Sequence, residues 1–175
     1  SVNLFAADLD HPRWMQVLPN GDVLIAETTQ PDRAPQGIGD RIARKIMASA
    51  NGSTKPANRI TLLRDTDGDG KADLRSALLT AENGLNSPFG MELVGDTLYV
   101  ANTDSLMAFP YKTGDTKITA KGEKIVPLPS GVPNNHWARN VIASPDKKPL
   151  YVTVGSNSNI GENGLKSEEY RANVL

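Results

Sequence analysis

The sequence predicts an all-β fold built from repeated hairpins, and three observations support this prediction. One phrase occurs three times: an apolar strand, a short turn and a second apolar strand. The second strands of these hairpins begin at Leu24, Leu98 and Leu150, and their spacing approaches a constant value once an insertion at 30–57 is removed. Glycine (15 residues) and proline (12 residues) are plentiful, as many short strands and turns require. A hairpin unit of about 45–50 residues is typical of a β-propeller blade.

The first predicted blade covers residues 9–81. Its opening hairpin turns at Pro19-Asn20-Gly21-Asp22, where an Asn-Gly pair between apolar runs is a strong hairpin signal. Four strands are predicted in this blade: Leu9–Leu18, Val23–Thr28, Arg59–Arg64 and Ala72–Leu79. The insertion at 30–57 separates the second strand from the third.

The insertion contains a predicted short helix over 40–48, with Asp40 as its N-cap. Three apolar residues share one face of this helix: Ile42, Ile46 and Met47. In one interpretation, three basic residues form a surface that binds a membrane or a partner: Arg41, Arg44 and Lys45. A helix that lies on the propeller with a solvated basic side is the favoured interpretation.

Two further blades follow, at 85–131 and 132–175. Four strands are predicted in the second blade: Leu85–Val94, Leu98–Thr103, Leu106–Tyr111 and Glu123–Leu128. Three are predicted in the third, which is incomplete: Asn140–Ala143, Leu150–Val154 and Tyr170–Leu175. A ring needs at least about four blades to close. We therefore expect the remaining blades in residues beyond this chain or in another chain, and a piece of a longer protein is the favoured interpretation.

Composition limits the classes of function. The net charge of −1 does not indicate a nucleic-acid or anionic-membrane partner. The absence of cysteine excludes disulfides and cysteine-bound metals, and it agrees with a periplasmic or secreted location. No run of 18 apolar residues exists, so no membrane insertion is expected. The chain opens on Ser1 without a signal peptide, as a processed or trimmed chain would.

An acidic loop at 65–73 is the most specific local motif. Its alternating carboxylates, with Gly70 at the sixth position, resemble the first nine positions of an EF-hand calcium loop. Five residues are predicted metal ligands: Asp65, Asp67, Asp69, Asp73 and, through its carbonyl, Lys71. Ser76 stands where such a loop has its bidentate glutamate. A structural calcium site away from the central channel is the favoured interpretation, and a plain Asp-Gly hairpin turn is the alternative.

The candidate catalytic site lies at the open end of the third hairpin. The hairpin brings its two ends together, so we expect His136 and Arg139 to lie near Ser156 and Asn157. An imidazole titrates near neutral pH, which suits His136 to the role of general base. Arg139 is predicted either to hold an anion or to form a salt bridge with Glu162.

Other polar and aromatic residues surround this predicted site. Trp137 either stacks on a flat cofactor or fills a blade interface, and packing is favoured. Asn135 and Ser156 are candidate substrate-binding residues together with Trp137, and Asn157 is a candidate cofactor-binding residue together with His136. The alternative for four asparagines is an ordinary turn: Asn134, Asn135, Asn157 and Asn159. His11 occupies the matching loop of the first blade, where a structural or rim position is favoured.

Several phrases resemble the glucose/sorbosone dehydrogenase family, and most of all its L-sorbosone dehydrogenase branch. They lie at 59–65, 135–140, 144–146, 150–159, 162–164 and 168–172. This resemblance implies a six-bladed propeller with pyrroloquinoline quinone (PQQ) at the central channel, which oxidises sugars or sugar aldehydes by hydride transfer to the quinone. It also implies a calcium ion that polarises the quinone and a histidine, matched by His136, that takes the substrate proton.

The chain departs from that family in two respects. Ser156 stands where soluble glucose dehydrogenases of the family have an acidic residue beside the histidine. The lysine and arginines that grip the quinone, and the ligands of the catalytic calcium, come from later blades of the family. Two alternative functions therefore stay open: a non-catalytic sugar- or partner-binding propeller and, less favoured, a calcium-dependent lactonase with Asn102 and Asn157 among its ligands.

Overall fold

The computed structural model describes residues 2–32, 34, 37–51, 55–132 and 134–175. Of residues 40, 44, 47, 50 and 51 it describes the backbone alone. The described chain forms three antiparallel sheets, which follow one another in sequence.

The first sheet has four strands that are hydrogen-bonded in sequence order. They are β1 (Pro12–Val17), β2 (Val23–Glu27), β3 (Arg59–Arg64) and β4 (Leu74–Leu79). The predicted Asn-Gly turn joins β1 to β2, and Gly21 adopts φ 89°, a conformation that glycine reaches without a steric penalty. One helix, α1 (Ile38–Asn51), lies between β2 and β3.

The second sheet repeats this pattern, and the third has three strands. The second consists of β5 (Met91–Val94), β6 (Thr97–Ala101), β7 (Ser105–Pro110) and β8 (Glu123–Pro127), in that order. The third consists of β9 (Arg139–Ala143), β10 (Leu150–Val154) and β11 (Asn173–Val174), again with neighbours in sequence order. Two short 3₁₀ helices lie at Ala81–Asn83 and Leu165–Glu168. The prediction of an all-β fold made of four-stranded hairpin units is confirmed, and β11 is shorter than the predicted strand.

The first strands of the three sheets are neighbours. β5 contacts both β1 and β9. Since each later strand pairs on the far side of the one before it, the sheets extend outward from a common centre, as the blades of a propeller do. Gly90 marks a very close approach of two sheets, because a Cβ atom there would lie 2.6 Å from the Cα of Asn140.

Two apolar cores fill the spaces between consecutive sheets. The larger core lies between the first and second sheets and includes Leu24, Leu62, Leu79, Leu98 and Phe109. The smaller core joins the second and third sheets and includes Leu106, Val141, Val152 and Val154. Each fully buried aliphatic side chain of this kind stabilises the fold by about 1.5–3 kcal/mol.

The helix differs from its prediction in two ways. It begins at Ile38, so Asp40 lies within its first turn and not at the N-cap position. Ile42 and Ile46 are 57% and 64% exposed, so the predicted apolar face is not buried against the described part of the chain. The side chains of Arg44 and Met47, which the prediction also used, lie outside the described residues. No helix among the described residues combines the length and the apolar character of a membrane span.

Candidate active site

Buried polar side chains gather at one edge of the sheets, here called the upper edge. It is the edge at which β1, β5 and β9 begin and at which β2, β6 and β10 end. The buried polar residues there include Glu27, Thr28, Ser87, Asn102, Thr103, Arg139, Asn157 and Ser158. Buried polar groups need hydrogen-bond partners, and at this edge the partners are mostly loop backbone groups. The upper edge is therefore formed by polar loops that hydrogen bonds hold together.

His136 lies at the upper edge, on the loop that leads into β9. Its Nδ1 atom is 2.8 Å from the hydroxyl oxygen of Ser156 and 3.1 Å from the carbonyl oxygen of the same residue. Gly155 makes this contact feasible, because a Cβ atom there would lie 2.7 Å from the Cβ of His136. The predicted proximity of His136 and Ser156 is confirmed, while the catalytic and substrate-binding roles of these residues stay predictions.

One tautomer of His136 satisfies both contacts of its Nδ1 atom. A carbonyl oxygen only accepts hydrogen bonds, so the geometry favours a proton on Nδ1. Nε2 then carries the lone pair, and among the described residues it has no hydrogen-bond partner. The ring is exposed. His136 thus presents a basic nitrogen outward from the loop.

Arg139 is fully buried and holds the His136 loop from below. It donates hydrogen bonds to the carbonyl oxygens of His136 (2.6 Å), Ala138 (3.0 Å) and Pro129 (2.7 Å). It also donates to the side-chain oxygen of Asn134 at 3.2 Å. Burial, and then the positive charge of Arg171, lowers the pKa of Arg139 to about 10. The guanidinium therefore stays charged at neutral pH and is occupied by the loop backbone.

The predicted alternative partner of Arg139 is absent among the described ion pairs. Glu162 instead accepts a hydrogen bond from the backbone N–H of Ile160, at 3.0 Å. That the guanidinium of Arg139 contacts an anionic substrate stays a prediction. The contacts present are those of a residue that positions the loop.

The loop after β10 is held by a carboxylate. Glu168 accepts hydrogen bonds from the backbone N–H groups of Asn157 (2.7 Å) and Ser158 (3.1 Å) and from the Ser158 hydroxyl (2.8 Å). These bonds, led by the one from Asn157, lower the pKa of Glu168. The side-chain oxygen of Asn157 accepts a hydrogen bond from Asn163 at 3.0 Å. Asn157 is 2% exposed, so its predicted contact with a cofactor stays a prediction.

Aromatic rings join the upper-edge loops of the three sheets. Trp137 meets Phe89 edge-on with a centroid separation of 6.2 Å, and Phe89 meets Trp14 at 5.7 Å. Arg13 lies over the Trp137 ring, 5.9 Å from its centroid. Trp137, on the loop before β9, therefore reaches toward the first sheet, while its role as cofactor platform or interface filler stays a prediction. Asn135 is exposed and donates its backbone N–H to the carbonyl oxygen of Asn157 at 3.2 Å.

A second polar cluster surrounds His11, on the loop that leads into β1. The Nδ1 atom of His11 lies 2.7 Å from a carboxylate oxygen of Asp10. The backbone N–H of Asp10 donates to Glu27. Glu27 is 1% exposed and receives two hydrogen bonds from Arg59, at 2.9 and 3.2 Å, and one from the Thr61 hydroxyl. Burial alone would raise the pKa of Glu27, but these hydrogen bonds together hold it below its usual value.

The acidic loop lies at the opposite, lower edge of the first sheet. One carboxylate oxygen from each of Asp65, Asp67 and Asp73 lies within 4.8 Å of the others, which is the spacing of a cation site. The backbone N–H groups of Gly70 and then Gly68 lower the pKa of Asp65. Three of the predicted carboxylates therefore converge.

The remaining two predicted ligands are not part of that group. Asp69 accepts a hydrogen bond from the backbone N–H of Lys71 at 2.8 Å and lies outside the three converging carboxylates. Whether the carbonyl oxygen of Lys71 binds a cation stays a prediction. A groove of about 600 Å³, lined by Asp96, Tyr111 and Ile118 among others, also lies at the lower edge, and neither histidine lines it.

A family model described as TrAA12-like matches residues 52–174. The chain belongs to this family. No curated protein matches it. Solved structures give the same architecture for the TrAA12-like chain. The iodide structure of Trichoderma reesei Carbohydrate-Active Enzymes Family AA12 matches with a TM-score of 0.65 and 15% identity, covering 98% of this chain and 37% of that one.

Two other structures have similar scores. The holo form of the pyranose dehydrogenase PQQ domain from Coprinopsis cinerea has a TM-score of 0.64 and 16% identity, with 97% and 34% of the two chains covered. The calcium structure of the Trichoderma reesei AA12 protein has a TM-score of 0.61 and 16% identity, with 94% and 35% covered. At these identities the likeness shows the fold. The TrAA12-like chain spans about a third of the length of each structure it matches.

Sequence reasoning missed two carboxylates that anchor the upper-edge loops, Glu27 with its partner Arg59, and Glu168. Glu27 and Arg59 are direct cross-strand partners in the β2–β3 pairing, so an opposite charge pair at matched strand ends was the available signal. Glu168 has no comparable signal, because only the folded loop distinguishes it from Glu169. Glu27 accepts a backbone N–H of the His11 loop, and Glu168 accepts backbone N–H groups of the loop after β10.

Proposed function

We propose that this chain forms part of a PQQ-dependent dehydrogenase that oxidises a sugar or sugar aldehyde, with His136 as the general base. The family match and the names of the similar structures, which include a carbohydrate-active enzyme and a pyranose dehydrogenase PQQ domain, support a carbohydrate oxidoreductase. The L-sorbosone branch is the more specific form of this proposal and rests on the sequence resemblance. The rest of the ring comes from further residues of a longer protein or from another chain.

The observation that carries the proposal is the state of the His136 ring. Its Nδ1 is held by Ser156, and its exposed Nε2 has no partner among the described residues. A fixed ring with a free basic nitrogen is what proton abstraction from a hydroxyl requires. Ser156 thus replaces a carboxylate as the orienting partner.

The described upper-edge residues supply the base and the contacts that hold its loop, whereas the family resemblance assigns the quinone-gripping lysine and arginines to later blades. When bound, the quinone accepts hydride from the carbon that is oxidised. Nε2 of His136 accepts the hydroxyl proton, and Arg139 keeps the loop carbonyls in place while it does so. Trp137, Asn135 and Ser156 would form the substrate-facing wall, and Asn157 would act from beneath the loop, because its side chain is buried.

Calcium fits the lower edge better than the upper edge of this chain. The three converging carboxylates of the acidic loop are hard oxygen ligands of the kind that calcium prefers. We assign this loop a structural cation. The lactonase alternative is less favoured, since Asn102 and Asn157, its two candidate ligands, are buried and their side-chain oxygens accept hydrogen bonds from neighbouring loops. A periplasmic or secreted location completes the proposal and agrees with the lack of cysteine.

The test uses the complete protein, titrated with PQQ and calcium and assayed with an artificial electron acceptor and several sugars. His136→Gln, which keeps a polar side chain but removes the base, should lower turnover by about 10²–10⁴-fold. Its melting temperature and quinone binding should change little. A normal rate for this variant would remove His136 from the mechanism.

The same titration separates the rival function. A non-catalytic sugar- or partner-binding propeller would neither bind the quinone nor reduce the dye in the wild-type form. Sugar binding without turnover, measured by calorimetry, would then support the binding module instead of the dehydrogenase.

A further inference from the structure

His11 is the second histidine of the chain, and it has the carboxylate partner that His136 lacks. Its Nδ1 lies 2.7 Å from Asp10, so Nδ1 donates its proton to that carboxylate. Nε2 has no partner among the described residues. The side chain is 23% exposed, which leaves the ring accessible from the upper edge. This is the arrangement of a carboxylate-oriented base.

The backbone around His11 is strained and held firmly. His11 has φ 53°, in the left-handed region that non-glycine residues adopt uncommonly. Two contacts maintain it: the N–H of Thr28 donates to the carbonyl oxygen of His11 at 3.2 Å, and Glu27 accepts the N–H of Asp10. Strain that neighbouring strands maintain is common at functional sites.

The two histidine loops approach each other at the centre of the propeller. His11 lies directly before β1 and His136 shortly before β9, and both strands are the first of their sheets. Arg13, two residues after His11, lies over the ring of Trp137, which is adjacent to His136. The two loops are therefore neighbours across the upper edge.

We propose that His11, oriented by Asp10, is a second proton acceptor of the dehydrogenase site. The proposal rests on the function proposed above. Oxidation of one hydroxyl to a carbonyl breaks a C–H and an O–H bond: a bound quinone would take the hydride, and a base takes the proton. Two electrons given to an external acceptor would then regenerate the quinone and bring the total to two protons per turnover.

One imidazole accepts one proton at a time, so it would carry the two protons of a turnover to solvent one after the other. A second imidazole gives the second proton its own route. His136 takes the hydroxyl proton at Nε2. His11 takes the second proton at its own Nε2, while the adjacent Asp10 carboxylate keeps the ring oriented through Nδ1. The exposed edge of the His11 ring then releases the proton to water.

The experiment compares two variants in the complete protein. His11→Asn removes the base and suits the backbone, because asparagine adopts the left-handed region readily. Asp10→Asn keeps a polar side chain but removes the charge. Asp115→Asn, an exposed carboxylate at the lower edge, is the matched control. We expect His11→Asn to lower kcat by about 10²-fold, with a smaller change in KM.

The ring tautomer and the Asp10→Asn variant separate catalysis from structure. Asp10→Asn leaves the imidazole in place but removes the carboxylate that orients it, so its kcat should fall less than that of His11→Asn, with an unchanged melting temperature. Nitrogen NMR of the His11 ring, independent of activity, should show the proton on Nδ1 in the wild type.

Two results would overturn the proposal. They are a kcat within about twofold of wild type in His11→Asn, and a His11 ring protonated on Nε2 alone. A wild-type protein that neither binds quinone nor reduces the dye would overturn the proposed function as well. An active wild type with an unaffected His11→Asn variant would overturn this inference alone.

Discussion

The two histidine loops are built by opposite means. The His136 loop rests on a buried cation, since Arg139 donates to the loop carbonyls, and the hydrogen-bond partners of its imidazole within the described part of the chain are the neutral groups of Ser156. The His11 loop rests on a buried anion, since Glu27 accepts the backbone N–H of Asp10, and its imidazole contacts a carboxylate. A carbonyl-rich loop needs donors and an N–H-rich loop needs acceptors. The difference therefore places the two rings in different electrostatic surroundings.

The largest expected effect comes from the cation beneath His136. Arg139→Met keeps an unbranched apolar stem and removes a donor from four acceptors, of which the Asn134 oxygen still accepts from Arg171. Each buried acceptor left without a partner costs about 1–3 kcal/mol, so we expect a loss of about 4 kcal/mol in the free energy of unfolding. Urea unfolding of the complete protein measures it. Arg41→Met, on the exposed surface of the helix, is the control, and a similar small change in both would show that the buried cation does not hold the loop.

The second-largest expected loss of stability comes from overpacking next to His136. Gly155→Ala places a methyl group 2.7 Å from the Cβ of His136, and overpacking of this kind costs about 2 kcal/mol. Turnover should fall as well, since the ring is displaced from Ser156. Gly131→Ala is the matched control, because nothing lies within 4 Å of its ideal Cβ. Equal stability and activity in the two variants would contradict the described contact.

The anion beneath His11 gives a smaller and pH-dependent effect. Glu27→Gln should cost about 1.5 kcal/mol at neutral pH, because charge-assisted hydrogen bonds are lost. The pKa of Glu27 is lower in the folded protein than in the unfolded chain. Its contribution is therefore present above a pH of about 4.3 and is lost as the pH falls through the folded-state pKa.

The free energy of unfolding, measured against pH for the wild type and for Glu27→Gln, checks the direction of this pH dependence. The difference between wild type and Glu27→Gln should shrink as the pH is lowered, whereas Glu123→Gln, exposed on β8, should follow the wild type throughout. A difference that stays constant down to the acid transition would show that the carboxylate charge does not hold the loop.

Local sequence signals predicted the strands and the proximity of His136 to Ser156. The Asn20-Gly21 pair and the period of the apolar residues defined the hairpins, and a hairpin necessarily brings His136 to Ser156. The Glu27–Arg59 pair was missed because 32 residues and a helix separate its members. The burial of Arg139 was missed because it depends on how the third sheet packs against the second, and no local pattern records such packing.

The acidic loop lies at the lower edge, away from both histidines, so a cation bound there should change stability without changing turnover. At about ten times its dissociation constant, calcium should stabilise the complete protein by about 1.4 kcal/mol, because it binds the folded loop and not the unfolded chain. Asp65→Asn should abolish this increase in melting temperature, and Asp115→Asn should preserve it. Turnover of a calcium-saturated and quinone-saturated enzyme should be the same in both variants. A loss of turnover in Asp65→Asn without a change in stability would mean that the loop acts on the chemistry, and the assignment of a structural cation to the lower edge would then fail.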